Sequence, residues 1–450
     1  MKEVIVIGGG LAGTEAALQV AKRGIKVKLY EMKPVKFSDA HTNEDLAEVV
    51  CSNSFKSNLL TNACGLLKEE LRILGSELIP VADLTSVPAG QALAVDRDVF
   101  SRKVTELVEK NENIEVIREE VTEIPQDSIV IIATGPLTSE VLSERIKELT
   151  GSDKLFFYDA AAPIIDKDSI NMDIAFYGDR YSQERGKEEP EEEWRERIKS
   201  EEGSYINLPM NKEEYEKFWE ELVNAEVVEL HEFEKREIFE GCMPLEIMAK
   251  RGMDTLRFGP LKPVGFTDLR TARRPYAVVQ LRQDNSEGNL YNIVGFQTNL
   301  KFGEQKRVFS LIPGLENANF VKYGVMHRNT YINSTMVLDN TYNMKEDENI
   351  FFAGQITGVE GYVESIASGF IAGINAANKI LGKDKFVMPK ETVNGALADY
   401  ISTENDNFQP MNANFGILPK LDENIRDKKV KYQKMADRSL EIIKIIKENV

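Results

Sequence analysis

Three cysteines, Cys51, Cys64 and Cys242, are the side chains in this 450-residue sequence best suited to forming a covalent bond with a substrate. A thiol attacks carbon only as the thiolate, when its neighbours lower its pKa; otherwise it is a small core filler. Cys242 stands between Gly241 and a Met243-Pro244 turn, where few side chains crowd it. Cys51 heads the polar run Ser52-Asn53-Ser54-Phe55-Lys56-Ser57-Asn58. Either reading is open for both residues. Cys64 falls at an apparent helix start, among Asn62, Ala63, Gly65 and Leu66, and reads as structural. The odd count, with no metal-ligand spacing, predicts free thiols in a reducing cytoplasm. With only three histidines (His41, His231 and His327) no metal is expected.

A second chemical feature lies at the other end of the chain. Val4-Ile5-Val6-Ile7 reads as a buried parallel strand, and Gly8, Gly10 and Gly13 follow at the spacing G-x-G-x-x-G. Gly8 permits the tight turn, Gly10 lets a pyrophosphate approach the backbone, and Gly13 lets the next helix pack on the strand. That helix would offer its free N–H groups to the phosphates, so Gly8, Gly9, Gly10, Leu11, Ala12 and Gly13 form the expected cradle. A second strand, Ile25 to Tyr30, closes on Glu31, whose carboxylate can accept both hydroxyls of an adenosine ribose. An acid there suits FAD or NAD and repels the extra phosphate of NADP.

The elements that position these groups follow in order. A short helical segment is expected at Asp45–Val50, and helices at 65–74 and 98–109. The strand 114–117 precedes Ser128–Ala133, which runs into Thr134-Gly135. In two-dinucleotide flavoproteins such a strand returns beside the first, and its Thr-Gly turn passes the cofactor. From 155 to 339 short strands, prolines and charged helices alternate, including a helix at 213–224, with no second glycine fingerprint. The chain then returns with a strand at 349–353 ending in Gly354-Gln355, and a helix from Tyr362 whose Ala367, Gly369, Ala372, Gly373, Ala376 and Ala377 allow close approach. Many FAD proteins carry an acid where Gln355 stands; glutamine can hydrogen-bond there without charge. The expected fold is therefore α/β: an FAD-binding Rossmann-like domain of the two-dinucleotide type (1–154 and 340–450) with an inserted mixed α/β substrate domain (155–339).

No apolar run approaches the ~20 residues of a membrane span, and the immediate first strand predicts no signal peptide. The net charge of −18 argues against a nucleic-acid partner. Its distribution argues less, because Lys235–Arg328 holds fifteen basic and nine acidic residues. Much of the acid lies in Glu184–Glu202, read as a solvated helical face or an insertion. Local basic segments are what dock phosphates.

Taken together, the Gly8–Gly13 fingerprint, Val50-Cys51-Ser52-Asn53-Ser54, Ala94-Val95-Asp96-Arg97, Gly241-Cys242-Met243-Pro244 and 257–265 (RFGPLKPVG) resemble the folate- and FAD-dependent tRNA (uracil-5-)-methyltransferase family. So do 274–282 (RPYAVVQLR), 294–300 (VGFQTNL) and 323–331 (YGVMHRNTY), and the matches run in order to about residue 378. Phe55-Lys56 and Gly9 depart from the usual pattern, as does the acidic run. The resemblance implies transfer of a one-carbon unit from 5,10-methylenetetrahydrofolate to C5 of the T-loop uridine (position 54) of tRNA, giving ribothymidine. FAD, reduced by NADPH or NADH, would relay the carbon and supply the hydride. It implies that Cys242 adds to uracil C6 and that Cys51 is a second catalytic thiol, although the two roles could be reversed. Arg257, Lys262, Arg274, Arg282 and Arg328 become expected tRNA contacts for the extruded T-arm uridine, and His327 a pterin contact. Three other readings stay open. One is the related wobble-uridine family, whose chains are longer; another is a generic FAD-dependent oxidoreductase; the third is a tRNA-binding chaperone with a vestigial cofactor.

Overall fold

The computed structural model describes residues 3–38, 40–151, 155–182, 185–186, 188–200, 202–228, 243–406 and 408–448. At 155–159, 199, 327 and 328 it describes the backbone alone. Cys242 lies outside the described residues.

Strand Glu3–Ile7 sits at the centre of a five-stranded parallel sheet ordered Ile350–Phe352, Ile129–Ile132, Glu3–Ile7, Lys26–Glu31, Ile114–Arg118. Its apolar residues Val4, Ile5, Val6 and Ile7 are buried, as a strand covered on both faces requires. Helix Leu11–Lys22 follows the glycine turn and packs on the long helix Tyr362–Leu381. The contact is backbone against backbone. A Cβ on Gly369 would lie 2.1 Å from the carbonyl oxygen of Ala12, and one on Gly373 2.7 Å from that of Ala16. The α/β Rossmann-like arrangement expected from the sequence is what the chain adopts.

A second, antiparallel sheet of six strands is ordered Phe176–Tyr177, Tyr205–Met210, Ala277–Gln283, Leu290–Ile293, Ile164–Asp166, Phe320–Lys322. Its apolar face packs against helices Lys212–Asn224, Leu245–Lys250 and Phe302–Phe309. A two-stranded ribbon, Leu155–Ala160 with Met326–Tyr331, carries the chain to and from this sheet. The hydrophobic cores follow the same division: one draws on residues 4–146 and 331–443, the other on 162–320.

Polar groups tie distant segments together, and Asp96 joins the two cores. Asp96 caps helix Arg97–Glu109 through the Val99 N–H (3.1 Å) and accepts from the Ser286 N–H (2.7 Å) and hydroxyl (2.5 Å). Although burial works against its charged form, these donors hold the Asp96 carboxyl below the usual range. Buried Glu70 accepts from the Val393 and Asn394 N–H groups (2.7 and 3.0 Å) and from the Ser439 hydroxyl (2.6 Å). It thereby ties the C-terminal helix Lys428–Lys447 to helix Ala63–Leu74.

The chain departs from the sequence pattern at Asp45–Val50. This stretch is not helical: Ala47 has φ +53° and donates to the Gly9 carbonyl at 2.8 Å. Leu46, Ala47 and Val49 are spaced like a helix face because they cover the glycine turn, where side-chain and backbone partners replace the helical ladder. The described part of the acidic run is helix Glu191–Lys199, which buries Trp194 and Ile198 and exposes its glutamates. Among the described residues no helix is long and apolar enough to cross a membrane.

Gly369→Ala is expected to destabilise the protein by about 1–3 kcal/mol, because the added methyl group overpacks a closed helix contact; a lower thermal midpoint would register it. Asp96→Asn keeps a capping oxygen but gives up the charge that strengthens the two Ser286 bonds, and should cost about 0.5–1.5 kcal/mol at pH 7. The folded pKa of Asp96 lies below the unfolded one, so the stability it contributes is present above about pH 4 and fades as pH falls through the folded pKa. The gap between wild type and Asp96→Asn in denaturant titrations should therefore close in acid.

Candidate functional site

The carboxyl ends of Glu3–Ile7, Lys26–Glu31 and Ile129–Ile132 open onto one cleft that runs from the glycine turn to Gln355 and Tyr362. A cleft beyond the carboxyl ends of parallel strands is where a dinucleotide binds in a fold of this kind. Gly8, Gly9, Gly10, Leu11, Ala12, Glu31, Thr134, Gly135, Gly354 and Gln355 all line it. Gly8 makes the turn with φ +105°, and a Cβ on Gly10 would meet nothing within 4 Å, so its backbone is bare to a ligand. Gly13 lies beneath the cleft instead of lining it. A Cβ there would sit 1.8 Å from the Gly8 carbonyl oxygen, so this glycine serves the packing of helix on strand.

Glu31 is buried, its Oε2 accepting from the Gly9 N–H (2.9 Å) and its Oε1 from the Lys33 N–H (3.0 Å). Each oxygen keeps lone-pair capacity for a ribose hydroxyl. Beside it Lys33 and Glu48 form a buried ion pair at 3.3 Å, and Glu48 also holds the Thr42 N–H at 2.9 Å. His41 faces the same cleft with Nδ1 2.6 Å from the Ser38 hydroxyl. Burial and the nearby Lys33 ammonium push its pKa down, so it stays neutral. Across the cleft the Gln355 amide N–H donates to Glu360. A carboxylate only accepts, so this bond fixes the amide and leaves its carbonyl oxygen as the free acceptor.

Cys51 does not line the cleft itself but follows Val50, which does. Its N–H and that of Ser52 both donate to the Tyr362 hydroxyl oxygen, at 3.0 and 3.1 Å, and Tyr362 lines the cleft. The half-buried thiol points at the Ala160 carbonyl oxygen, 3.7 Å away. The loop is held from both cores. Arg97 donates to the Val49 and Val50 carbonyls (3.1 Å each) and pairs with Asp284 at 3.1 Å. Arg282, on a strand of the antiparallel sheet, donates to Asn53 Oδ1 (2.9 Å) and Ser52 Oγ (2.8 Å). Asn53 in turn donates to the Val95 and Gln283 carbonyls. Cys64 is different: burial pushes its thiol up to about 11, and it remains a protonated core residue.

The expected tRNA-contacting residues separate. Lys262 and Arg274 are exposed on the inserted part of the chain. Arg257 stacks over the Tyr276 ring at 3.5 Å and donates to the Tyr276 carbonyl at 3.0 Å. Arg282 is only 8% exposed and its guanidinium is committed to the Cys51 loop, so it orders that loop and does not reach outward to phosphate. His327 and Arg328 lie on strand Met326–Tyr331, paired with Asp159 and Tyr158. The segment bearing Cys242 is anchored by its described flanks: Val228 N–H to the Asn299 carbonyl (2.9 Å) and Leu245 N–H to that of Gln297 (2.7 Å). Buried Glu246 accepts from the Asn299 N–H (2.8 Å) and the Thr298 hydroxyl (2.9 Å), fixing the same turn.

Sequence reasoning assigned no role to Tyr362, Asn53, Arg97, Lys33 or Glu48. Asn53 and Arg97 lie in motifs that the resemblance singled out, which was the available signal. Lys33 and Glu48 stand in a stretch without periodicity, and nothing local marks them. Among the described residues no group of three or more potential metal ligands gathers.

The sequence pattern of the family described as glucose inhibited division protein A, GIDA, matches residues 3–384. A protein of Acetivibrio thermocellus named methylenetetrahydrofolate–tRNA-(uracil-5-)-methyltransferase TrmFO is 61% identical over 98% of this chain and 97% of its own. One of the same name from Fusobacterium nucleatum is 58% identical over 98% of both chains. Among solved structures, Aquifex aeolicus GidA superposes with a TM-score of 0.68 at 18% identity, over 99% of this chain and 73% of that one; the likeness concerns the fold.

Arg282→Ala should remove two charge-assisted bonds and cost about 1.5–3 kcal/mol each in a rigid loop, less where the loop relaxes. Peptide mapping after iodoacetamide treatment should then find Cys51 modified faster than in wild type. Cys64 should stay unmodified in both proteins.

Proposed function

Since the chain belongs to the GIDA family, and within it to the methylenetetrahydrofolate–tRNA-(uracil-5-)-methyltransferases named TrmFO, we propose that it carries out the reaction this name states. The substrate is the T-loop uridine at position 54, the product ribothymidine, the carbon donor 5,10-methylenetetrahydrofolate, and the reductant NADPH or NADH. The observation that carries the reading is a single cleft running from the dinucleotide turn to Tyr362, whose hydroxyl holds the Cys51 backbone. The residues fit FAD: a bare glycine turn, a ribose acceptor at Glu31, and a neutral acceptor at Gln355.

Reduced FAD, when bound, supplies the one-carbon relay and the hydride that completes the methyl group. The remaining steps belong to the chain. Uracil C5 is a poor nucleophile, and a thiolate adding to C6 makes it an enolate; Cys242 has this role. The new carbon bonds to C5, the C5 proton leaves to a base, and the thiolate is expelled as the ring regains its double bond. Cys51, beside the cofactor cleft, serves as the second thiol, removing that proton or protecting the cofactor; the division of labour between the two could be the reverse. The uridine must leave its stack at a cost of a few kcal/mol. Lys262, Arg274, Arg257 and Arg328 offset this through phosphate contacts, and His327 packs on the pterin. Residues 1–154 with 340–450 act as the cofactor domain and 155–339 as the substrate domain, in the cytoplasm.

Carbon-labelled methylenetetrahydrofolate should deliver its label to tRNA in the presence of FAD and a nicotinamide, and mass spectrometry should find it in ribothymidine. Cys242→Ala should abolish the transfer while the protein stays yellow. Label arriving only from S-adenosylmethionine would reject the mechanism.

A further inference from the structure

Five aromatic rings run outward from the core of the antiparallel sheet. Phe296 and Phe309, both fully buried, meet edge-on at 5.2 Å and 75°. Phe309 leans on Phe320 at 6.4 Å and 36°. The outer rings are close to parallel: Phe320 on Tyr323 at 5.5 Å and 7°, then Tyr323 on Phe302 at 5.0 Å and 17°. Phe302, the first residue of helix Phe302–Phe309, ends the column and is 56% exposed. A phenylalanine over half exposed recovers little hydrophobic energy where it is. A column of parallel rings ending in solvent presents a π-face on which another flat ring can stack.

Its place in the chain ties it to the reaction. The 297–301 run leading into Phe302 pairs with Val227 and Val228 on one side and Leu245 on the other, the described flanks of the segment that carries Cys242. On the opposite side Tyr323 leads into Gly324, held by both polar atoms of the Gln305 amide at 2.8 Å, and then Val325. The Val325 carbonyl accepts from the Ala161 N–H at 2.8 Å, and the neighbouring Ala160 carbonyl faces the Cys51 thiol. The stack therefore lies between the anchors of both thiol-bearing segments, and it is not part of the cofactor cleft wall. Lys306 is exposed on the same helix, and Lys322 flanks Tyr323.

The geometry points to Phe302, backed by Tyr323, as a stacking platform for an unpaired nucleobase of the RNA substrate next to the uridine that reacts. This deepens the function proposed above and rests on it. A pterin is the other flat ring in the reaction, but it must lie within the cleft to exchange carbon with the cofactor. The exposed end of the column suits a base carried by a macromolecule.

The test uses the full-length, FAD-loaded protein and a fluorescent T-arm hairpin RNA, with affinity read by anisotropy at fixed salt. Phe302→Ala should weaken binding roughly 5- to 150-fold, the loss of one base stack. Phe302→Trp should stay within about threefold of wild type, because every flat ring serves. Leu84→Ala, which trims an exposed apolar side chain elsewhere on the surface, should change nothing. Hairpins abasic at single loop positions should include one for which Phe302→Ala carries no further penalty, identifying the base. Wild-type affinity in Phe302→Ala would overturn the platform, as would a raised KM for methylenetetrahydrofolate with RNA affinity intact. A wild-type protein that neither binds nor methylates the hairpin would overturn the proposed function together with the platform.

Discussion

The close approach of helix Leu11–Lys22 to helix Tyr362–Leu381 is the constraint on which the site depends. Backbone meets backbone there because Gly369 and Gly373 have no Cβ to hold the helices apart. Gly13 does the same between the first helix and the turn that precedes it. Both helices then begin at the same cleft, one offering bare N–H groups behind the glycine turn and the other offering Tyr362. A residue 311 positions from the first thiol thus becomes a support for it: the Tyr362 hydroxyl oxygen receives the N–H groups of Cys51 and Ser52.

That thiol loop also joins the two cores. Arg97 reaches it from the parallel-sheet side and Arg282 from the antiparallel sheet, while Asp284 and Asn53 close the circuit. Buried ionic groups of this kind add little net stability, since desolvation offsets most of their attraction, but they penalise any arrangement that leaves one unpaired. The junction is thereby held in one geometry. The catalytic role proposed for Cys51 would require such a fixed position, because small displacements are costly in catalysis.

Much of this was legible in the sequence where the signal is local. The strand–turn–helix–strand unit ending at Glu31, the returning strand at 129–132 and the small-residue helix after Gly354 each carry their own pattern, and the chain folds them as that pattern predicts. The helical reading of Asp45–Val50 failed for an instructive reason: Leu46, Ala47 and Val49 are spaced by what they cover, and the Gly9 carbonyl, the Thr105 hydroxyl and Arg97 replace the ladder. Arg282 misled in a related way. An arginine in a basic segment reads as a phosphate ligand, yet only the pairing of its strand in the antiparallel sheet shows the guanidinium turned inward toward Asn53.

By itself the sequence determined the dinucleotide turn, the acid that ends the second strand, and the family, because each depends on residues near one another in the chain. Tertiary structure alone decided which groups support Cys51 and where the aromatic column opens. Those contacts join residues tens to hundreds of positions apart, and such partners meet only after the sheets and helices have packed. Spacing along a chain records local geometry; it carries no record of which distant carbonyl, guanidinium or ring will close against it.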